Sequence, residues 1–179
     1  MVTPFLSDIQ TEGLDKEILD WVESGRVWMA GPVADIRTCA HAIFVGSATG
    51  VLEEAADITI EFTLPAYDAN AAGYREISMQ YASSPLKARQ MSFDAIRPGK
   101  KAKTLAVYRN EEYLDGYVAI TETPFGKGKK VVLGCLPDND ALIAVFNDVF
   151  RVAGLTPFVA AAAHVLGAAR HGMSAQPVP

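Results

Sequence analysis

Near the start of the chain, Leu14, Ile18, Trp21 and Val22 are spaced i, i+4, i+7 and i+8, with Asp15, Glu17, Asp20 and Glu23 between them. That spacing gathers the apolar side chains on one face and predicts a helix from Leu14 to Ser24. Gly25 stands where a left-handed C-terminal cap is wanted. Arg26-Val27-Trp28-Met29-Ala30 follows as an apolar run closed by Gly31-Pro32, the pattern of a buried strand in a parallel sheet. Trp21 and Trp28 both fall at core positions in this reading. Val2 to Leu6 reads as the tail of an earlier strand and its exit loop. Together these pieces make half of a βαβ unit, which leads us to expect a missing N-terminal piece.

Leu52 to Ala56 predicts one or two helical turns. From Ile58 to Leu64 the chain alternates strictly: Ile58, Ile60, Phe62 and Leu64 to one side, Thr59, Glu61 and Thr63 to the other. This is a half-buried strand stopped by Pro65. Asp68 to Gly73 is turn-like, and strands are expected near Tyr74–Tyr81, Leu86–Phe93 and Thr104–Tyr108, with a polar turn at Arg97–Lys101. Tyr117–Thr121 and Lys130–Gly134 flank a glycine-containing loop and predict a hairpin. The clearest helix begins at Asp138 or Asp140, with Leu142, Val145, Phe146, Val149 and Phe150 on one face and Gly154 at its end. Phe158 to Arg170 is alanine-rich and read as helix, with a frayed tail from Ser174. The order of elements is α/β with an antiparallel excursion.

Composition adds constraints rather than chemistry. The 179 residues suit one domain with an appendage, half of them are hydrophobic, and the formal charge is −5. An acidic chain lacks the basic footprint of a sequence-independent nucleic-acid binder. No apolar stretch is long enough to span a bilayer, so no membrane partner is expected. Cys39 and Cys135 cannot build a disulfide framework, and His41, His164 and His171 are scattered without zinc spacing. We therefore expect no metal, no cofactor and a cytoplasmic location.

The chemical candidates are few. Gly126-Lys127-Gly128-Lys129 lacks the spacing and the Ser/Thr of a phosphate loop and precedes a strand, so it reads as a hairpin turn. Cys135 lies between Leu133 and Pro137 without the small flanking residues of a nucleophile elbow, and reads as a buried apolar residue. Glu53-Glu54 and Glu111-Glu112 read as solvated neighbours rather than a catalytic pair. The loop Asp35-Ile36-Arg37-Thr38-Cys39-Ala40-His41 leaves the C-terminal end of a parallel strand, where open α/β sheets place binding crevices. Asp35, Arg37 and His41 are therefore the candidate binding or interface residues, and no catalytic residue is assigned.

Leu19–Pro32 followed by Asp35–Thr38 resembles a passage in the second, trimerisation domain of family 42 β-galactosidases. Gly50–Ile58 and the Pro124–Gly134 hairpin resemble two later segments of that domain in the same order, as does the helix from Asp140 to Ala153 with Gly154-Leu155. Arg26 and Asp57 depart from the pattern, standing where the family often has glycine. The resemblance implies a flavodoxin-like, class I glutamine amidotransferase-like sheet flanked by helices, without amidotransferase chemistry. It implies a trimerisation-like domain over residues 1–157, lacking its first strand and helix, and an appended segment over 158–179. It further implies self-association, as a homotrimer or with a chain carrying the catalytic barrel. That barrel needs about 200 residues or more and cannot fit here. An amidotransferase-like enzyme and a carbohydrate-binding module are the alternatives.

Overall fold

The computed structural model describes residues 2–3, 13–32, 34, 42, 50–68, 73–89 and 92–154. The elements in chain order are β1 (Val2–Thr3), α1 (Leu14–Glu23), β2 (Val27–Ala30), α2 (Val51–Ala56), β3 (Ile58–Pro65), β4 (Tyr67–Asp68) and β5 (Gly73–Tyr74). They continue with β6 (Glu76–Tyr81), β7 (Ser84–Arg89), β8 (Ser92–Pro98), β9 (Lys103–Arg109), β10 (Val118–Phe125), β11 (Gly128–Leu133) and α3 (Asn139–Val152). The expected 158–179 helix and tail lie outside the described residues.

Strands run β1-β2-β11-β10-β9-β6-β7, and β3 joins through β8, which pairs with β10. Among the described strands, only β1–β2 and β2–β11 are parallel. The other pairings of this curled sheet are antiparallel. The class is α/β as expected, but the antiparallel part is the larger share rather than an excursion. Short connections explain this: β10–β11 and β6–β7 are joined by two-residue turns, which permit only antiparallel pairing.

The sheet separates two cores. Ile18 and Val22 of α1 and Leu52 and Ala56 of α2 pack on one face with Trp28, Ala30, Val132, Ile58 and Ile60. Ala141, Val145 and Val149 of α3 pack on the other with Met29, Val131, Leu133, Tyr108 and Phe93. Alternation along β2 and β11 sends neighbouring side chains to opposite cores. Asp138 caps α3, its carboxylate accepting from the Ala141 amide at 2.9 Å.

Both helices of the first core are fixed by backbone and side-chain contacts to the β10–β11 hairpin. Gly126 has φ 57° and Lys127 a negative φ, the signature of a type II′ turn. The Lys127 amide donates to Glu23 O at 2.9 Å and the Lys129 amide to Arg26 O at 3.0 Å, closing the end of α1. A Cβ at Gly128 would lie 2.0 Å from Val22 O and 2.2 Å from Arg26 O, so only glycine permits this approach. Two carbonyls at the end of α2 are met by side chains from the sheet: Lys130 Nζ donates to Ala55 O, and Thr123 Oγ1 donates to Ala56 O at 2.6 Å. Asp57 then turns left-handed at φ 52°, which explains why glycine suits that position. Its carboxylate accepts from the Lys101 amide at 2.6 Å.

Lys130 is 1% exposed, with its ammonium 3.4 Å from the centroid of the Phe125 ring. Burial pushes its pKa down to about 8, against an ordinary lysine value of 10.5. Between those values the unfolded chain binds more protons than the folded one, so this group makes stability rise with pH.

Two outcomes follow. Gly128→Ala should lower the unfolding free energy by about 2 kcal/mol or more in urea titrations, because backbone atoms rather than a flexible side chain must move. The stability of the wild type relative to Lys130→Met should increase between pH 7 and 10, by on the order of 2 kcal/mol. A difference that stays flat with pH would show that the amine is not confined as described.

Candidate functional site

Asp35, Arg37 and His41 lie outside the described residues, as does Cys39. What the structure places is the ground from which their loop departs. β2 runs parallel between β1 and β11, and after Ala30 the chain leaves the sheet through buried Gly31, Pro32 and Ala34. Ala34 packs in the same core as Leu52 of α2.

The other chemical candidates have internal tasks. Cys135 is fully buried with its thiol 4.0 Å from Met79 Sδ, and burial pushes it up to about 12, the opposite of nucleophile activation. Next to it, Tyr108 donates through its hydroxyl to Gly134 O at 3.0 Å, and burial raises that phenol well above its ordinary value. The Gly126–Lys129 stretch spends its amides on the end of α1, as a hairpin turn rather than a phosphate cradle. Glu53 corrects the expectation of a solvated pair: it is 7% exposed, while Glu54 faces solvent. Glu111 forms a half-buried ion pair with Arg75 at 3.0 Å. Among the described residues no group of three or more His, Cys, Asp and Glu could hold a metal ion, and no helix is long and apolar enough to cross a membrane.

The surface carries aromatic groups where alternation and helical spacing predict core. Phe62 is 37% exposed because the β3–β8 register shifts between Ile60 and Thr63. A bulge of this kind redirects side chains. Ile58 and Ile60 enter the α1–α2 core, whereas Leu64 packs against the α3 core. Trp21 is 38% exposed, leaving Ile18 and Val22 as the buried positions of α1. Phe150, stacked on half-buried Phe146 with centroids 5.5 Å apart, also reaches solvent on α3, as does Ile143.

One exposed group is organised. The Phe62 and Tyr117 rings meet in a T-shaped contact with centroids 5.4 Å apart, and the Arg97 guanidinium lies 5.0 Å from the centroid of the Tyr117 ring. Arg97 Nε donates to Glu61 Oε1, and the Tyr117 hydroxyl donates to Glu61 Oε2 at 2.6 Å. Hydrogen bonds from Arg97 and then Tyr117 hold the Glu61 carboxyl below its ordinary range. The hydrogen bond to Glu61 raises the Tyr117 phenol. The arrangement presents Phe, Tyr and Arg in held rotamers, the residue types enriched at protein contacts. Alternation hid it, because nothing in the spacing of β3 marks the bulge.

Comparison with known proteins places this fold. β-Galactosidase YesZ of Bacillus subtilis (strain 168) is 29% identical over 146 residues, spanning 80% of this chain and 20% of its own length. β-Galactosidase LacA of Lactobacillus acidophilus is 28% identical over 160 residues, spanning 89% of this chain and 22% of its own. The chain thus spans about a fifth of the length of the curated relatives it matches. The crystal structure of a β-galactosidase from Bacillus circulans sp. alkalophilus superposes with TM-score 0.77 at 17% identity, over 87% of this chain and 23% of that one. A β-galactosidase from the haloarchaeon Halorubrum lacusprofundi gives 0.75 at 20% identity, over 86% and 22%. These structures share the fold. The profile of the β-galactosidase trimerisation domain matches residues 1–156, and the chain belongs to that family.

Proposed function

We propose that this chain is a non-catalytic oligomerisation domain of a β-galactosidase, joining subunits as a homotrimer or docking on a chain that carries the catalytic barrel. The observation that carries this reading is the family match over residues 1–156, combined with the fifth of the relatives' length that the chain spans. Hydrolysis of a galactoside belongs to the remainder of such an enzyme. Exposed Phe62 and Arg97 with half-buried Tyr117 between them support association, since residues of these types gain most when desolvated by a partner. The loop bearing Asp35, Arg37 and His41 is included in the contact, leaving as it does from the end of a strand flanked by parallel neighbours. For the sheet, we infer a flavodoxin-like, class I glutamine amidotransferase-like arrangement flanked by helices, supported by the β1–α1–β2 unit and the parallel β2–β11 pairing. The place of action is proposed to be the cytoplasm.

Light scattering after size exclusion, at two concentrations, tests the reading. The expected mass is near three times the 19.2 kDa of the chain, and a monomer at both concentrations would overturn self-association. A chromogenic galactoside should not be turned over by the pure chain; turnover would remove the non-catalytic assignment.

A further inference from the structure

Strand β3 ends one branch of the sheet, and among the described strands it pairs with β8 alone. Its opposite edge is where another strand could add, the standard hazard of an edge strand of this length. The Ile60 amide does not serve the β8 ladder. It donates to Glu53 Oε1 of α2 at 2.6 Å, in a buried hydrogen bond. In an antiparallel pair the backbone groups point alternately toward the partner strand and away from it, so this amide faces the open edge.

Glu53 and Glu54 are adjacent on a six-residue helix, yet only Glu53 is buried. A buried carboxylate is costly unless hydrogen-bonded, and an ionised one is a strong acceptor. We propose that Glu53 is an edge guard: its carboxylate occupies the outward amide of β3 and keeps a second copy of this chain from pairing β3 against β3. An incoming strand would need the Ile60 amide for its own ladder. It would have to break a buried hydrogen bond and push the carboxylate out of the place it holds beside β3. Identical β3 strands running antiparallel would otherwise satisfy each other's edges, so the second copy is the competitor the guard excludes. At the far end of β3, Pro65 offers no amide at all.

The test compares the full chain with Glu53→Leu and Glu53→Gln by light scattering over a concentration series, with circular dichroism to confirm folding. Glu53→Leu removes the acceptor and should acquire species heavier than the wild type that grow with concentration. Glu53→Gln keeps a carbonyl of the same reach and should retain the wild-type mass. A folded Glu53→Leu chain with the wild-type mass distribution would overturn the proposal. Should Glu53→Leu not fold, hydrogen exchange at the Ile60 amide decides. Exchange about tenfold faster in Glu53→Gln than in the wild type is expected, because a neutral acceptor holds the amide less firmly. Unchanged exchange would overturn the guard. Every comparison is made against the wild type, so a monomeric wild type would defeat the trimer reading and leave this result interpretable.

Discussion

The fold hangs on strand β11, which has to serve both faces of the sheet and both of its neighbours within six residues. Its first residue, Gly128, lets the backbone of the α1–β2 turn approach to a distance that no side chain would allow. Lys130 reaches the end of α2, and Val131 and Leu133 fill the opposite core against α3. Lys130 is the costly member of this set. Taking an ammonium out of water is unfavourable, and burial accordingly lowers its pKa. A helix C-terminus is nevertheless a place where a cation is favoured, since its carbonyls point outward unsatisfied. The Phe125 ring adds an attractive face on the other side of the amine. A helix of six residues has little stability of its own. Its position on the sheet is owed to these polar anchors as much as to Leu52 and Ala56.

Local periodicity made much of this legible. The helical spacing in α1 and α3, the glycine after α1, the Asp138 cap and the hairpin turn each stand within a few residues of what they control. The strand neighbours were less legible, because alternation marks a face and says nothing about which strand lies alongside. Phe62 shows the limit most clearly. A single register shift opposite Asp94 and Ile96 turns it outward, and the cause lies on another strand. Glu53 shows a second limit: its acceptor role depends on α2 folding back on the strand that follows it. Trp21 and Phe150 sit at the margins of their apolar stripes, where a wide aromatic side chain can satisfy the pattern and still meet water. The candidacy of Asp35, Arg37 and His41 rests on their place after a parallel strand. Of the segment that leads to them, Gly31, Pro32 and Ala34 are described, and all three are buried.

Among the described residues, four polar groups that would ordinarily suggest catalysis are taken up by the architecture. Cys135 is buried, Lys130 is bound to a helix end, Glu53 is bound to a strand amide and Glu111 is paired with Arg75. Each would have to surrender a structural contact before it could act on a substrate. The exposed groups are of a different kind. Phe62, Tyr117 and Arg97 are held by Glu61 and by each other in the free chain, so little side-chain freedom remains to be lost on contact. Among the described residues, chemistry turned inward and aromatic surface turned outward fit the proposed role in association.

The ends of the sheet sharpen that argument. Strand β7 carries Pro85, which has no amide to offer, and exposed Lys87. The segment after β11 covers part of it, with Ala88 bridged to Pro137 and the Asp138 amide donating to Lys87 O at 3.0 Å. Strand β3 has the Glu53 carboxylate on Ile60 and Pro65 at its end. Open edges left without such devices invite addition of further strands, and repeated addition has no natural stopping number. A closed ring needs the reverse: contacts through faces and loops whose geometry returns to the starting subunit. Guarding β3 and β7, two of the three ends of the described sheet, beside an ordered aromatic patch on the surface therefore favours a counted assembly through faces over an endless one through these edges.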